Sequence, residues 1–105
     1  MARIVLNPKL AVEVRNETFN FTSSLAASGT ETISTASTTA IVFSGTDASP
    51  GAIISGTATI SGAQVTQKIQ GGIVGVIYEL RCSITTSTGQ TLVLAGYLAI
   101  VPDLP

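Results

Sequence analysis

Few side chains in this sequence could do chemistry. Six carboxylates (Glu13, Glu17, Glu31, Asp47, Glu79, Asp103) stand against five cations (Arg3, Lys9, Arg15, Lys68, Arg81), with one thiol, Cys82, and no histidine in 105 residues. Without imidazole there is no Ser-His dyad and no histidine metal ligand, which removes most hydrolase designs. Only Glu13 and Glu17 are near one another in sequence. Four residues along a strand set them about 13 Å apart, so they read as solvated charges and not as the acid and base of a glycosidase. Asp47, within Thr46-Asp47-Ala48-Ser49, offers one carboxylate where calcium wants several clustered oxygens, and reads as a turn residue. Cys82 has no histidine or helix N-terminus to lower its pKa, so it reads as a buried structural thiol. Gly71-Gly72-Ile73-Val74-Gly75 lacks the spacing and lysine of a phosphate loop and reads as a strand connection. No catalytic residue, metal site or cofactor is expected.

The charge pattern excludes further classes. A net charge of −1 with scattered cations provides no basic stripe for nucleic acid. One cysteine cannot form an internal disulfide, and the opening MARIVLNPKL is too short in apolar residues for a signal-peptide core. The longest apolar stretch, Leu92 to Val101, is about half of a membrane-crossing helix, and a spanning barrel of at least about eight strands would consume the whole chain. Synthesis in a cytoplasm and use without export or membrane insertion is the expectation. Asn16-Glu17-Thr18 and Asn20-Phe21-Thr22 then match the glycosylation sequon by chance.

The elements that hold these groups have a hydrophobic period of two, the period of strands. Val76, Tyr78, Leu80, Cys82 and Ile84 alternate with Ile77, Glu79, Arg81, Ser83 and Thr85. The same alternation runs through Leu10 to Arg15, Thr18 to Leu25, Ile54 to Ser61 and Ala63 to Gln70. Glu31 to Ser44 reads as two short strands broken near Ala36 to Thr38. Glycine-bearing pairs separate the runs: Ser28-Gly29, Ser44-Gly45, Pro50-Gly51, Ser61-Gly62, Gly71-Gly72 and Thr88-Gly89, with Pro50-Gly51 suited to the centre of a type II turn. About seven strands and no convincing helical period predict an all-β antiparallel sandwich. Tyr78, opening a strand just after a Gly-rich turn, fits the tyrosine corner of immunoglobulin-like domains, with its ring inside and its hydroxyl capping a backbone group upstream. Serine and threonine fill 26 positions while only 10% of residues are charged, so the outward strand faces must be largely hydroxyl.

One strand breaks that pattern. In Thr91 to Val101 the inner phase is Leu92, Leu94, Leu98 and Ile100, yet the outer phase, Val93, Ala95, Tyr97, Ala99 and Val101, is apolar too. A strand apolar on both sides needs cover on both sides. Either the N-terminal segment folds over it or another subunit does, and the second is preferred. With Phe19, Phe21 and Tyr78 in core phase, Tyr97 is the ring left to face outward. The expected organisation is an arm at 1–9, a sandwich at 10–101 and a tail at 102–105. The candidate subunit interface joins Ile4 and Leu6 of the arm to Val93, Ala95, Tyr97, Ala99 and Val101, the arm being apolar enough to add a strand to a neighbour.

From Phe19 through Val101 the chain resembles small virion proteins of tailed bacteriophages. The resemblance is carried by Gly45-Thr-Asp-Ala-Ser-Pro-Gly51, Ala58-Thr-Ile-Ser-Gly62, Tyr78, and Ile84-Thr-Thr-Ser-Thr-Gly-Gln90. It implies a single immunoglobulin-like sandwich with no catalytic residues, acting in many copies in the virion as a fibre-to-tail adaptor, neck or capsid-decoration protein. The implied partners are other virion proteins and further copies of itself, without nucleic acid or membrane. A host-surface glycan-binding module, using loops Asp47 to Gly51 and Ile73 to Gly75, is the alternative from a different class.

Overall fold

The computed structural model describes residues 2–6, 8–27 and 31–102. Strands form where apolar and polar residues alternate: β1 (Ala2–Val5), β2 (Lys9–Leu10), β3 (Arg15–Asn20), β4 (Ile33–Ser44), β5 (Ile54–Ser61), β6 (Gln64–Ile69), β7 (Ile77–Thr86) and β8 (Thr91–Val101), with a short helix α1 (Thr22–Ala27) and a 3-10 turn at Pro50–Ile53. One sheet has the order β1-β8-β7-β4, with β2 continuing the line of β1 along β8; the other has the order β3-β6-β5. β1 and β2 run parallel to β8, and the remaining pairs are antiparallel. β4, β7 and β8 thus take the places of strands C, F and G of an immunoglobulin domain, and β3, β6 and β5 those of B, E and D. With β1 and β2 counted as one edge, this is the seven-strand immunoglobulin-like sandwich that the alternation predicts.

The inward phases of both sheets meet in one core. Phe19, Val65 and Ile69 of the three-strand sheet pack with Tyr78, Leu80, Cys82, Ile84, Leu98 and Ile100 of the other, closed at the ends by Phe21, Leu25 and Ile53. Fully burying side chains of this size contributes about 1.5–3 kcal/mol each. The backbone makes room for this packing at Gly72, which has φ +102°; a Cβ there would lie 2.8 Å from the Ile100 side chain. Gln67 is buried on the same inner side. β5 bulges between Ser55 and Thr59 and loses its ladder to β6, and the Gln67 amide donates instead to the carbonyls of Ser55 and Gly56 at 3.0 and 3.2 Å.

Four sequence expectations need correction. The alternation from Thr18 does not continue as strand to Leu25: the Asn20 side chain accepts the Thr22 N–H, and Leu25 N–H bonds to Phe21 O, so α1 begins and places Phe21 and Leu25 on one buried side. Leu10 to Arg15 is not one half-buried strand. Glu13 closes a turn by accepting the Leu10 N–H on its carboxylate and donating its own N–H to Leu10 O, leaving Val12 and Val14 74% and 60% exposed. Ile33 to Ser44 is one strand of 12 residues, its irregularities lying near the ends, between Ile33 and Thr35 and between Val42 and Ser44. Pro50-Gly51 opens a 3-10 turn rather than a type II turn; Gly51 is not among the glycines with positive φ. The turn at Ser61-Gly62 is as expected: Ser61 pairs with Gln64 and Gly62 has φ +60°, the left-handed first position that a two-residue hairpin assigns to glycine.

Candidate functional site

The chemistry-bearing side chains are gathered into structural networks. The Tyr78 hydroxyl accepts the Ile73 N–H at 3.0 Å and donates to Asp47 Oδ2 at 2.7 Å, while Asp47 Oδ1 accepts the Ser49 N–H at 2.8 Å. This is the tyrosine corner, with a carboxylate partner that the sequence reading missed: Asp47 is a turn residue and also fixes the tyrosine. The Tyr78 hydroxyl and then the Ser49 N–H hold the Asp47 carboxyl below its ordinary pKa, and burial first, then Asp47, raises that of Tyr78. Lys9 is wholly buried, its ammonium donating to the carbonyls of Gly71 and Leu10 at 2.7 and 2.9 Å; burial lowers its pKa. At the opposite end Glu31 Oε1 accepts from the hydroxyls of Thr86 and Thr88, which hold its carboxyl below the usual range. Burial pushes the Cys82 thiol up to about 11, so it stays protonated and unreactive at neutral pH. Among the described residues no three His, Cys, Asp or Glu side chains cluster as metal ligands. Among the described residues no helix is long and apolar enough to cross a membrane.

The two loops of the glycan-binding alternative do come together. Asp47, Ser49, Ile73 and Val14 line one open depression with Ala52, Ile53 and Gln70 to Gly72. No aromatic ring lines it, so a sugar would have no stacking platform there.

The surface that stands out is the outer face of the four-strand sheet. In register across β4, β7 and β8, Ile41 lies beside Glu79 and Glu79 beside Tyr97, while Ile77 lies beside Ala99. The Phe43 ring reaches over to Tyr97, with centroids 4.5 Å apart. Leu6, Pro8, Phe43, Ile77, Tyr97 and Ala99 line a groove of about 280 Å³. Phe43 is 58% exposed and Ile41 38%. Among the described residues the ion pair on this face is Arg81 with a nearly buried Glu79, 3.3 Å apart.

The residues expected at the interface are distributed unevenly over this face. Tyr97, Ala99 and Leu6 line the groove; Val93 and Val101 are half-buried on the same strand. Ala95 is only 1% exposed and can offer a partner almost no area. Ile4 lies in β1, whose side chains are outside the described residues. Among the described residues the N-terminal segment does not fold over β8, the cover weighed for it. It lies beside β8 as an edge, with Leu6 N–H bonded to Tyr97 O at 2.9 Å, and leaves the outer face open. Tyr97 is also not the one outward ring: Phe43 is the more exposed. Its place in the outward phase with Ile41 was readable, but the expected break in Glu31 to Ser44 hid it.

The family comparison says what kind of protein carries this sandwich and its open apolar face. The family model of the podophage GP4 fiber-tail adaptor protein gp77 matches residues 9–98. The chain belongs to this adaptor family. No curated protein and no solved structure matches it. The match takes in β2 to most of β8, so all of the core except Ile100, the tyrosine corner, Phe43 and Tyr97 lie within the family region, whereas β1 lies before it. Membership makes the chain a structural tail adaptor of the virion by family, in agreement with the resemblance carried by its turn and strand phrases.

Proposed function

We propose that this chain is a non-enzymatic structural protein present in many copies in a tailed-phage virion, where it joins fibres or neighbouring subunits at the neck or tail. The contact in this reading is the outer face of the four-strand sheet, and the assembling unit is the sandwich of residues 10–101 with the segment 1–9 docked along β8. The observation that carries it is the open apolar groove floored by Tyr97 and Ala99 and walled by Phe43, Ile77, Leu6 and Pro8. Aromatic anchors are what a protein contact concentrates near its centre, and an apolar face of this kind on a chain with 10% charge invites association unless a partner covers it. Other virion proteins and further copies of this chain are the partners, and synthesis in the host cytoplasm without export is part of the proposal.

The test is incorporation into particles. Tyr97→Lys and Val93→Asp place charge on the outer face at positions outside the buried core, and denaturant unfolding of the purified domains separates any loss of stability from a loss of assembly. Particles assembled with either variant should lack the protein or carry fewer fibres. Normal incorporation and normal fibre content would overturn this contact.

A further inference from the structure

A sandwich of two open sheets has four edges, and here three carry features that block further pairing while the fourth does not. The β1/β2 edge is interrupted by Pro8. The β3 edge carries Arg15 and Glu17, ion-paired at 2.8 Å. The β5 edge is broken by its bulge between Ser55 and Thr59 and by the left-handed Gly56. Charges, prolines and bulges are how folded proteins prevent strand addition at an edge. β4 reads ISTASTTAIVFS, with no charge, no proline and no glycine over 12 residues. Among the described residues its ladder runs to β7 alone, so every second backbone N–H and C=O faces outward unpaired. Its bulges lie near the ends and leave Thr35 to Val42 regular, a length typical of a strand.

We infer that β4 is a pairing edge and that its occupant is β4 of a second copy, antiparallel across a two-fold axis at Thr39. An uncharged strand meets its own copy without like charges coming opposite one another. Pairing about that axis keeps outward residues opposite outward residues. It therefore sets Ile41 beside the partner's hydroxyl-bearing stretch and joins two four-strand sheets into one. An isologous contact of this kind closes on itself as a dimer rather than running on as a fibre. One strand pair buries little area, so the free dimer is weak, and it gains strength where a symmetric particle holds many copies together. β7 separates this edge from the β8 residues tested above, so the two contacts fail independently.

Sedimentation of the full chain from about 10 μM to about 1 mM covers the range of a weak dimer. The expected result is a monomer–dimer equilibrium whose Kd rises at least about tenfold in Thr39→Lys, where two like charges meet across the axis, and is unchanged in Thr39→Val and Tyr97→Lys. Thr39→Cys should cross-link into dimers under mild oxidation, while Thr57→Cys, on the bulged edge, should not. A chain that stays monomeric and cross-links no better through Thr39→Cys than through Thr57→Cys overturns the inference. So does a dimer indifferent to Thr39→Lys.

Discussion

The outer faces of the two sheets are opposites. The three-strand sheet presents Asn16, Ser55, Thr57, Thr59, Thr66 and Lys68 around a polar groove, with Thr18 and Thr66 hydroxyls bonded across the strands at 3.1 Å. The four-strand sheet presents Phe43, Ile77, Tyr97 and Ala99. The hydroxyl-rich, weakly charged composition is therefore an average over two different surfaces. One is wetted by threonine, which suits both water and an extended backbone; the other exposes aromatic and aliphatic side chains. The difference teaches that a low charge count need not mean a uniformly adhesive molecule: the aromatic groove lies on one outer face and the hydroxyl-lined one on the other.

The largest expected effect tests what the two sheets share. Leu80→Ala, at a wholly buried core position, should cost about 2–5 kcal/mol in denaturant unfolding, and a smaller loss would mean the sheets are less tightly joined than their packing indicates. Gln67→Ala should cost about 1–3 kcal/mol, since it strips the Ser55 and Gly56 carbonyls of their donor, and hydrogen exchange should rise in β5 while β8 stays protected. Tyr78→Phe should cost about 1 kcal/mol through the lost hydroxyl bonds and should also change the pH profile. Because Asp47 is held below its ordinary pKa, its contribution is present above the unfolded carboxyl range and disappears as pH falls through the folded value. Wild-type stability should therefore decline on acidification more than that of the variant. The smallest effect sharpens the contrast directly. Phe43→Lys and Thr59→Lys should each move stability by no more than about 0.5 kcal/mol, but only the first should reduce retention on a hydrophobic column.

Most of the sandwich was legible because its evidence is local. The alternation around Tyr78 and Cys82 fixes the phase of β7, and the glycine after Ser61 fixes a hairpin. What was lost depended on a side chain competing with the backbone. Asn20 and Glu13 each accept a backbone N–H within three residues, ending a strand where the apolar period alone would continue it. The Asp47 to Tyr78 bond spans 31 residues, and no pattern in either segment announces it. For the candidate face, the apolar outer phase of β8 was visible, whereas Phe43 and the buried Glu79 gain their meaning only from the register of β4, β7 and β8.

The parallel course of β1 and β2 along β8 has a mechanical consequence. A pull applied between residue 2 and residue 102 runs along these strands, and the six paired positions, Ala2 to Val5 with Leu94 to Tyr97 and Lys9 and Leu10 with Ile100 and Val101, are strained in shear together. Antiparallel neighbours pulled from one end would instead unzip bond by bond. Tension along the chain axis thus meets its resistance at the first and last strands before the core has to yield.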